Sequence, residues 1–84
     1  MISFEESAFA EYWQWAKEDI KILEKINKLI NEIKRDPFHG TGKPESLKGN
    51  LSGHWSRRIT DEHRLVYKVF PDQLVIVSCK YHYK

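Results

Sequence analysis

The length, composition and charge of this chain exclude several classes of protein. Its 84 residues suffice for one domain, and its single cysteine, Cys79, cannot form an internal disulfide. No apolar run approaches the roughly 20 residues of a membrane span, and the N-terminal "MISFEESAF" lacks the features of a signal peptide. We therefore expect a soluble, cytoplasmic protein with one domain covering residues 1–84 and no membrane association.

The net charge of +2 is unevenly distributed along the chain. Residues 1–36 contain six Lys/Arg and eight Asp/Glu, whereas residues 37–84 contain eight Lys/Arg and four Asp/Glu. A basic C-terminal half is compatible with binding a polyanion such as a nucleic acid.

The first half of the chain predicts a short strand and two helices. After the β-like "ISF", apolar residues at helical spacing predict one face of a first helix that ends near Glu18. These residues are Phe9, Tyr12, Trp13 and Ala16. The stretch "DIKILEKINKLINEIKRDP", residues 19–37, predicts a second helix with Asp19 as N-cap and Pro37 as its stop. Its apolar stripe consists of Ile22, Leu23, Ile26, Leu29, Ile30 and Ile33. We expect the two helices to form an antiparallel hairpin.

The second half predicts a loop and three strands. Residues 38–53 hold all four glycines and are expected to be loop, with a helical turn at 45–48. β-Branched and aromatic runs then predict strands at 54–59, 63–70 and 73–82. The order β-α-α-β-β-β predicts an α+β fold in which two N-terminal helices pack on one face of an antiparallel sheet.

The turn between the first two of these strands determines which arginines share a face. With a three-residue loop at 60–62, Ile59 pairs with His63, and Arg58 and Arg64 lie on the same face. With a two-residue loop these arginines lie on opposite faces. The sequence leaves both registers open.

Several residues of the second half have the chemistry of metal-free RNA cleavage. Glu45 lies in the loop, Arg57 and Arg58 on one strand, Arg64 on the next and His82 near the end of the last. Such cleavage needs a base for the 2′-OH proton, a cation for the phosphorane and an acid for the departing 5′-oxygen. Each residue also has the ordinary interpretation of a solvated surface charge, although strand alternation sends Arg57 and Arg58 to opposite faces.

The histidines do not indicate a metal site. They show no spacing such as HxxxH, and the single cysteine excludes a CxxC pair. His54 and His63 are interpreted as structural or turn residues, and His39 remains unassigned.

Two segments resemble a known family. "GKPESLKGNLSGHWSRRITDEHRLVYKV", residues 42–69, and "CKYHY", residues 79–83, closely resemble the YoeB family of bacterial toxins within the RelE superfamily. The stretch "EKINKLINEIKRDPFHGTGKPE" is similar as well, so the resemblance covers nearly the whole chain.

The resemblance implies the toxin of a type II toxin–antitoxin pair with a RelE-like microbial RNase fold. Members of that family are ribosome-dependent endoribonucleases that cleave mRNA in the ribosomal A site, without a metal or other cofactor, and so inhibit translation. The implied partners are mRNA on the ribosome, a YefM-like antitoxin and a second copy of the chain in a homodimer.

The resemblance also assigns roles to individual residues. Glu45 of G-K-P-E matches the general base, Arg64 of E-H-R-L-V-Y the phosphate-stabilising arginine, and His82 of Y-H-Y the general acid. The matches to residues that line the RNA-binding site are Lys48, Arg58, Glu62 and Tyr83. Lys80 and Lys84 are expected to attract phosphate.

The chain departs from the family pattern at three positions. Lys84 follows the tyrosine at which members usually end, and Ser46 replaces a common proline or lysine. Glu5 stands where a capping serine is common, which should weaken the start of the first helix by up to about 1 kcal/mol.

Two other functions remain compatible with the sequence. The same superfamily includes the ParE group, which inhibits gyrase without nuclease activity. A general RNA-binding protein would instead use exposed aromatic residues as stacking platforms, for which Trp55 and Tyr81 are the candidates.

Overall fold

The computed structural model describes residues 1–81, which form two helices packed against a five-stranded mixed sheet. The elements are β1 (Ile2–Phe4), α1 (Glu6–Glu18), α2 (Ile20–Arg35), β2 (Glu45–Ser46), β3 (His54–Arg58), β4 (Arg64–Val69) and β5 (Leu74–Ser78), with a 3₁₀ turn at Gly49–Leu51. The strand order is β1-β5-β4-β3-β2. The predicted α+β fold with two N-terminal helices on a sheet is confirmed. No helix in this part of the chain is long and apolar enough to cross a membrane.

The sheet differs from the prediction in one pairing. Strand β1 runs parallel to β5, with Ile2 beside Leu74 and Phe4 beside Ile76, while the other pairs are antiparallel. The prediction of a purely antiparallel sheet was therefore wrong at this edge. Both helices and three strands separate β1 from β5 along the chain, so no tight turn imposes an antiparallel arrangement.

The expected helical turn at 45–48 was also wrong. Glu45 and Ser46 form β2 and pair with Ser56 and Trp55 of β3. Pairing with a strand already in the sheet satisfies the backbone groups that a helical turn would otherwise have satisfied.

Helix α2 agrees closely with the prediction made from the sequence. The side chain of Asp19 caps it by accepting hydrogen bonds from the backbone N–H groups of Lys21 and Ile22, and the helix ends at Arg35. Its buried residues are Ile26, Leu29, Ile30 and Ile33. The hydroxyl of Tyr12 on α1 donates to Asn27 on α2 at 2.7 Å, so the chain doubles back at Asp19 and the predicted hairpin is confirmed.

Helix α1 is present, but it is rotated from the predicted face. Ala8 and Trp15 are its buried residues, whereas Phe9 and Trp13 are 48% and 55% exposed. The small Ala8 permits close approach to the sheet, and burying Trp15 allows its indole N–H to reach a backbone carbonyl. As expected, the side chain of Glu5 makes no capping hydrogen bond.

Candidate active site

Three candidate site residues share the sheet face that carries no helix. Arg57 on β3 points toward the helices and reaches Glu32 of α2, so its neighbour Arg58 points away from them. Arg64 of β4 stands opposite Arg58. Glu45 of β2 stands opposite Ser56, two residues before Arg58 and on the same side of β3. Because paired residues of antiparallel strands share a face, Glu45, Arg58 and Arg64 lie together on the sheet face that carries no helix. We call this the open face.

The register of the β3–β4 turn brings the two arginines together. The N–H of Ile59 donates to the carbonyl of His63 at 2.9 Å, which leaves residues 60–62 as the loop. The chain therefore adopts the three-residue alternative, and Arg58 pairs with Arg64.

Sheet geometry gives the spacing between the proposed base and the proposed phosphate ligand. Strand β3 separates Glu45 from Arg64, so their backbones lie about 10 Å apart across the sheet and about 7 Å apart along it. Two long side chains can flank one phosphodiester over this distance. The side chain of Glu45 is exposed to solvent.

The segment that carries Glu45 is positioned by a close backbone contact. The carbonyl of Gly42 accepts a hydrogen bond of 2.6 Å from the N–H of Arg58. Gly42 has φ = +84°, and a Cβ atom there would lie 3.0 Å from the carbonyl oxygen of Arg58. Only glycine fits this conformation and this approach without strain.

Arg64 uses one part of its guanidinium group to stabilise the neighbouring turn. Its Nη1 donates toward the carbonyl oxygens of Thr60 at 2.8 Å, Asp61 at 3.1 Å and His63 at 3.2 Å. Within residues 1–81, these are the hydrogen bonds of its side chain, so Nε and Nη2 are available to a ligand.

The chain approaches its C-terminal end along helix α1. The N–H of Cys79 donates to Glu11 Oε1 at 2.8 Å, and the indole N–H of Trp15 donates to the Cys79 carbonyl at 2.8 Å. Burial, reinforced by the Glu11 carboxylate, raises the pKa of the Cys79 thiol to about 12. This thiol therefore stays protonated at neutral pH, and its role is structural.

Lys80 does not have the role expected from sequence. Its Nζ lies 3.4 Å from Glu18 Oε1 and 4.9 Å from the centre of the Trp15 ring, and its side chain is only 9% exposed. The ammonium group is held against α1 instead of being free to attract a phosphate.

Two consecutive residues hold the backbone of Tyr81. Its N–H donates to His63 Nδ1 at 2.7 Å, and its carbonyl accepts from the N–H of Arg64 at 3.0 Å. Strand β5 ends at Ser78, before the predicted limit of 82. The remaining predicted site residues, His82 and Tyr83, lie outside the described residues together with Lys84, and their roles stay predictions.

Two further predicted residues, Glu62 and Lys48, are exposed in loops next to the strands. Glu62 is exposed in the 60–62 loop, with Oε1 3.6 Å from His63 Nε2. Lys48 is exposed in the loop after β2.

Sequence reasoning missed the buried guanidinium group of Arg57. This side chain is 0% exposed, and it is surrounded by acceptors that fix residues 36–41. They are the carbonyls of Asp36, His39 and Thr41, the Tyr67 hydroxyl and the Glu32 carboxylate. Arg57 therefore holds the loop that leads to β2 and Glu45. The signal in the sequence was strand alternation, which sends Arg57 and Arg58 to opposite faces of the sheet.

Hydrogen bonds lower the pKa of two carboxyl groups beside this buried cation. For Glu32, the largest cause is the backbone N–H of Thr41, followed by the Thr41 hydroxyl and, more weakly, Arg57. For Asp36, it is the backbone N–H of Phe38, followed by the side chain of His39. In residues 1–81, no group of three His, Cys, Asp or Glu side chains is placed to hold a metal ion.

Comparisons with known proteins agree over almost the full length. The family described as the YoeB-like toxin of bacterial type II toxin–antitoxin systems matches residues 4–83. Toxin YoeB of Streptomyces coelicolor is 58% identical over 82 residues, 98% of each chain. The YoeB/ParE toxin from Agrobacterium tumefaciens has a TM-score of 0.95 at 46% identity, with 98% of both chains covered.

Two structures from Staphylococcus aureus are also similar. A chain of the heterotetrameric YoeB-YefM toxin–antitoxin complex has a TM-score of 0.92 at 49% identity, covering 99% of this chain and 97% of that one. The YoeB dimer has a TM-score of 0.91 at 49% identity, covering 98% and 95%.

The fold and these similarities define a toxin of the bacterial type II toxin–antitoxin class. Within that class, the chain belongs to the YoeB family.

Proposed function

We propose that this toxin is a ribosome-dependent endoribonuclease that cleaves mRNA in the ribosomal A site. The observation that carries the proposal is the placement of Glu45, Arg58 and Arg64 on one open face, across three neighbouring strands. A carboxylate and two guanidinium groups at this spacing offer a base and an anion-binding surface to a phosphodiester.

Each group has a distinct role in the proposed reaction. Glu45 removes the proton from the 2′-OH, whose oxygen attacks the adjacent phosphorus. Arg64 donates from Nε and Nη2 to the phosphorane oxygens, and Arg58 supplies a second positive charge. His82 protonates the departing 5′-oxygen, leaving a 2′,3′-cyclic phosphate. Lys48, Glu62 and Tyr83 bind the RNA around this bond.

These side chains supply every proton transfer that the reaction needs, so the proposed mechanism uses no metal ion at the scissile phosphate. The ribosome itself requires Mg²⁺, and the test must therefore be made on the substrate. Sulfur substitution of a nonbridging phosphate oxygen should slow cleavage to the same extent in Mg²⁺ and in added Mn²⁺ or Cd²⁺. Rescue by a thiophilic metal would contradict this part of the proposal.

The proposed partners are inferred from those of similar proteins. The S. aureus YoeB proteins form a complex with YefM and a dimer, and we assign this toxin a YefM-like antitoxin and a homodimer. The basic residues of the open face favour an acidic antitoxin segment that covers them. An inhibited complex in which Glu45, Arg58 and Arg64 stay open to solvent would contradict steric blocking.

A non-catalytic RNA-binding function is less well supported. Trp55, one of its two candidate stacking platforms, points toward the helical layer, and its ring centre lies 4.8 Å from that of Phe38. It is therefore not presented to a base on the open face, and Tyr81, whose ring centre lies 5.2 Å from that of His63, is not sufficient alone for a stacking surface.

The deciding experiment is primer extension on an mRNA that is being translated, with and without the toxin. Wild type should produce new 5′ ends at ribosome-occupied codons, and Glu45→Gln should lose at least about 100-fold in rate. Glu5→Gln, which makes the same change at an exposed position outside the site, is the matched control. Absence of cleavage together with inhibition of gyrase would instead support a ParE-like function.

A further inference from the structure

His63 makes the contact that fixes the last described residue. Its Nδ1 accepts the N–H of Tyr81 at 2.7 Å, while the next residue, Arg64, donates its own N–H to the Tyr81 carbonyl at 3.0 Å. Tyr81 is therefore held on both sides of its Cα atom. It adopts φ = +61°, a conformation that a residue other than glycine keeps only where its surroundings impose it.

The ring of His63 is itself held in place. It is 8% exposed, and it packs edge to face against Trp15 with 4.8 Å between ring centres and an angle of 82°. Trp15 is in turn fixed by its hydrogen bond to the Cys79 carbonyl. The imidazole is thus packed between α1 and the segment that follows β5.

The direction of the hydrogen bond defines the protonation state of the ring. A backbone N–H can only donate, so Nδ1 of His63 must carry a lone pair and the ring proton must be on Nε2. Nε2 lies 3.6 Å from Glu62 Oε1, on the side of the ring that faces the 60–62 loop. His63 therefore acts as an acceptor, in its neutral form.

From this geometry we infer that His63 is a positioning residue for the proposed general acid. His82 follows Tyr81 by one peptide bond, so the fixed backbone of Tyr81 sets the point from which the His82 side chain starts. His63 does not touch the substrate in this arrangement. The inference rests on the proposed function, because it requires His82 to be the group that protonates the leaving oxygen.

Two substitutions of His63 distinguish the loss of the hydrogen-bond acceptor from the loss of side-chain volume. The side-chain oxygen of His63→Asn can lie near the position of Nδ1 and accept the Tyr81 N–H. His63→Ala removes the acceptor. The matched control is His54→Ala. His54 lies on β3 of the same sheet, and its Nδ1 is 3.2 Å from the carbonyl oxygen of Leu51.

The first measurement is NMR of the purified toxin, which does not depend on cleavage. Imidazole ¹⁵N spectra should show His63 protonated at Nε2, and the Tyr81 amide should be protected from exchange. Protection should fall at least about tenfold in His63→Ala and persist in His63→Asn and His54→Ala. A proton on Nδ1, or unchanged protection in His63→Ala, would overturn the inference.

The second measurement uses translated mRNA with either oxygen or sulfur at the scissile 5′-bridging position. Because a thiolate leaves without protonation, a defect in positioning the acid should largely disappear with sulfur. His63→Ala should cleave the oxygen substrate on the order of 10- to 100-fold more slowly than wild type and the sulfur substrate at nearly the wild-type rate. His63→Asn should stay within a few-fold on both.

The two measurements distinguish failure of the inference from failure of the proposed function. A His63→Ala defect of equal size on both substrates would indicate general structural damage and would refute the positioning role. If wild type cleaved neither substrate, the endonuclease proposal would fail together with the catalytic part of this inference. The NMR result would then still decide whether His63 holds Tyr81.

Discussion

Arg58 and Arg64 stand directly opposite each other on β3 and β4, with both side chains on the face that carries no helix. Like charges at directly opposed positions destabilise a sheet. An anion bound between them, such as an RNA phosphate, would remove that repulsion. The unliganded protein therefore carries an electrostatic cost at the same place where it offers a binding surface.

Removing one of these charges should stabilise the fold and weaken function. Arg58→Gln is expected to increase the free energy of unfolding by about 0.5 kcal/mol, measured by urea denaturation at low salt. The gain should shrink at 1 M salt, where the repulsion is screened. Cleavage and RNA affinity should fall. Lower stability of Arg58→Gln at low salt would show that the pair is not strained.

The geometry of the Arg64 side chain should matter as well as its charge. Arg64→Lys retains a positive charge but loses the planar set of donors that reaches the turn carbonyls and the phosphate at once. Single-turnover cleavage should drop by at least about tenfold, with ribosome binding retained. Equal activity of the lysine variant would transfer the phosphate role to Arg58.

His82 should act as an acid and not merely as a cation. A positioned general acid typically contributes about 10²- to 10⁴-fold, and His82→Ala should lose a factor in this range on the natural oxygen substrate. Sulfur at the 5′-bridging position should restore most of this loss but none of the loss in Glu45→Ala. An unchanged His82→Ala defect on sulfur would make Tyr83 the next candidate.

The buried guanidinium group should be essential for stability. Arg57→Gln removes the positive charge beside the Glu32 carboxylate and deprives several loop carbonyls of this donor, and we expect a loss of about 3 kcal/mol or more in urea denaturation. Arg35→Gln, at the exposed end of α2, is the control and should change stability by less than about 1 kcal/mol. A similar small change in Arg57→Gln would mean that water replaces the lost bonds.

Acid should destabilise the toxin through the same cluster. The pKa of Glu32 is lower in the folded protein than its ordinary value of 4.5, so its ionised form contributes stability above that value. This contribution disappears as the pH falls through the lowered folded pKa. The urea concentration at the midpoint of unfolding of the wild type should therefore decrease once the pH is below about 4.5. Glu32→Gln should be less stable at pH 7 and less sensitive to acid than Glu24→Gln, an exposed carboxyl control on the same helix.

The sequence predicted α2 well because its six apolar residues define one stripe and its cap is local. It predicted the wrong face of α1 because two apolar stripes overlap there. Phe9 and Trp13 are larger than Ala8, but the choice between the stripes depends on the contacts of Trp15 with Cys79 and His63. Those partners are distant in the chain, and no local pattern reveals them.

The sequence predicts which face of the sheet a site residue occupies where strand alternation determines it. It does not predict the face where the length of a loop determines it. Alternation correctly separated Arg57 from Arg58. The sharing of a face by Arg58 and Arg64 depended on the length of the 60–62 loop, which the structure resolves. The pairing of β1 with β5 likewise depends on how the whole chain folds, and a three-residue strand carries too little pattern to specify it.

The position of β5 between β1 and β4 also sets the order in which the protein can be completed during its synthesis. Ile2 is synthesised long before its partner Leu74. The sheet therefore cannot close on a nascent chain that lacks β5, and the segment that fixes Tyr81 beside Arg64 is made later still. The ribosome that makes this toxin must therefore translate the message through the codon for Tyr81 before the candidate site can form.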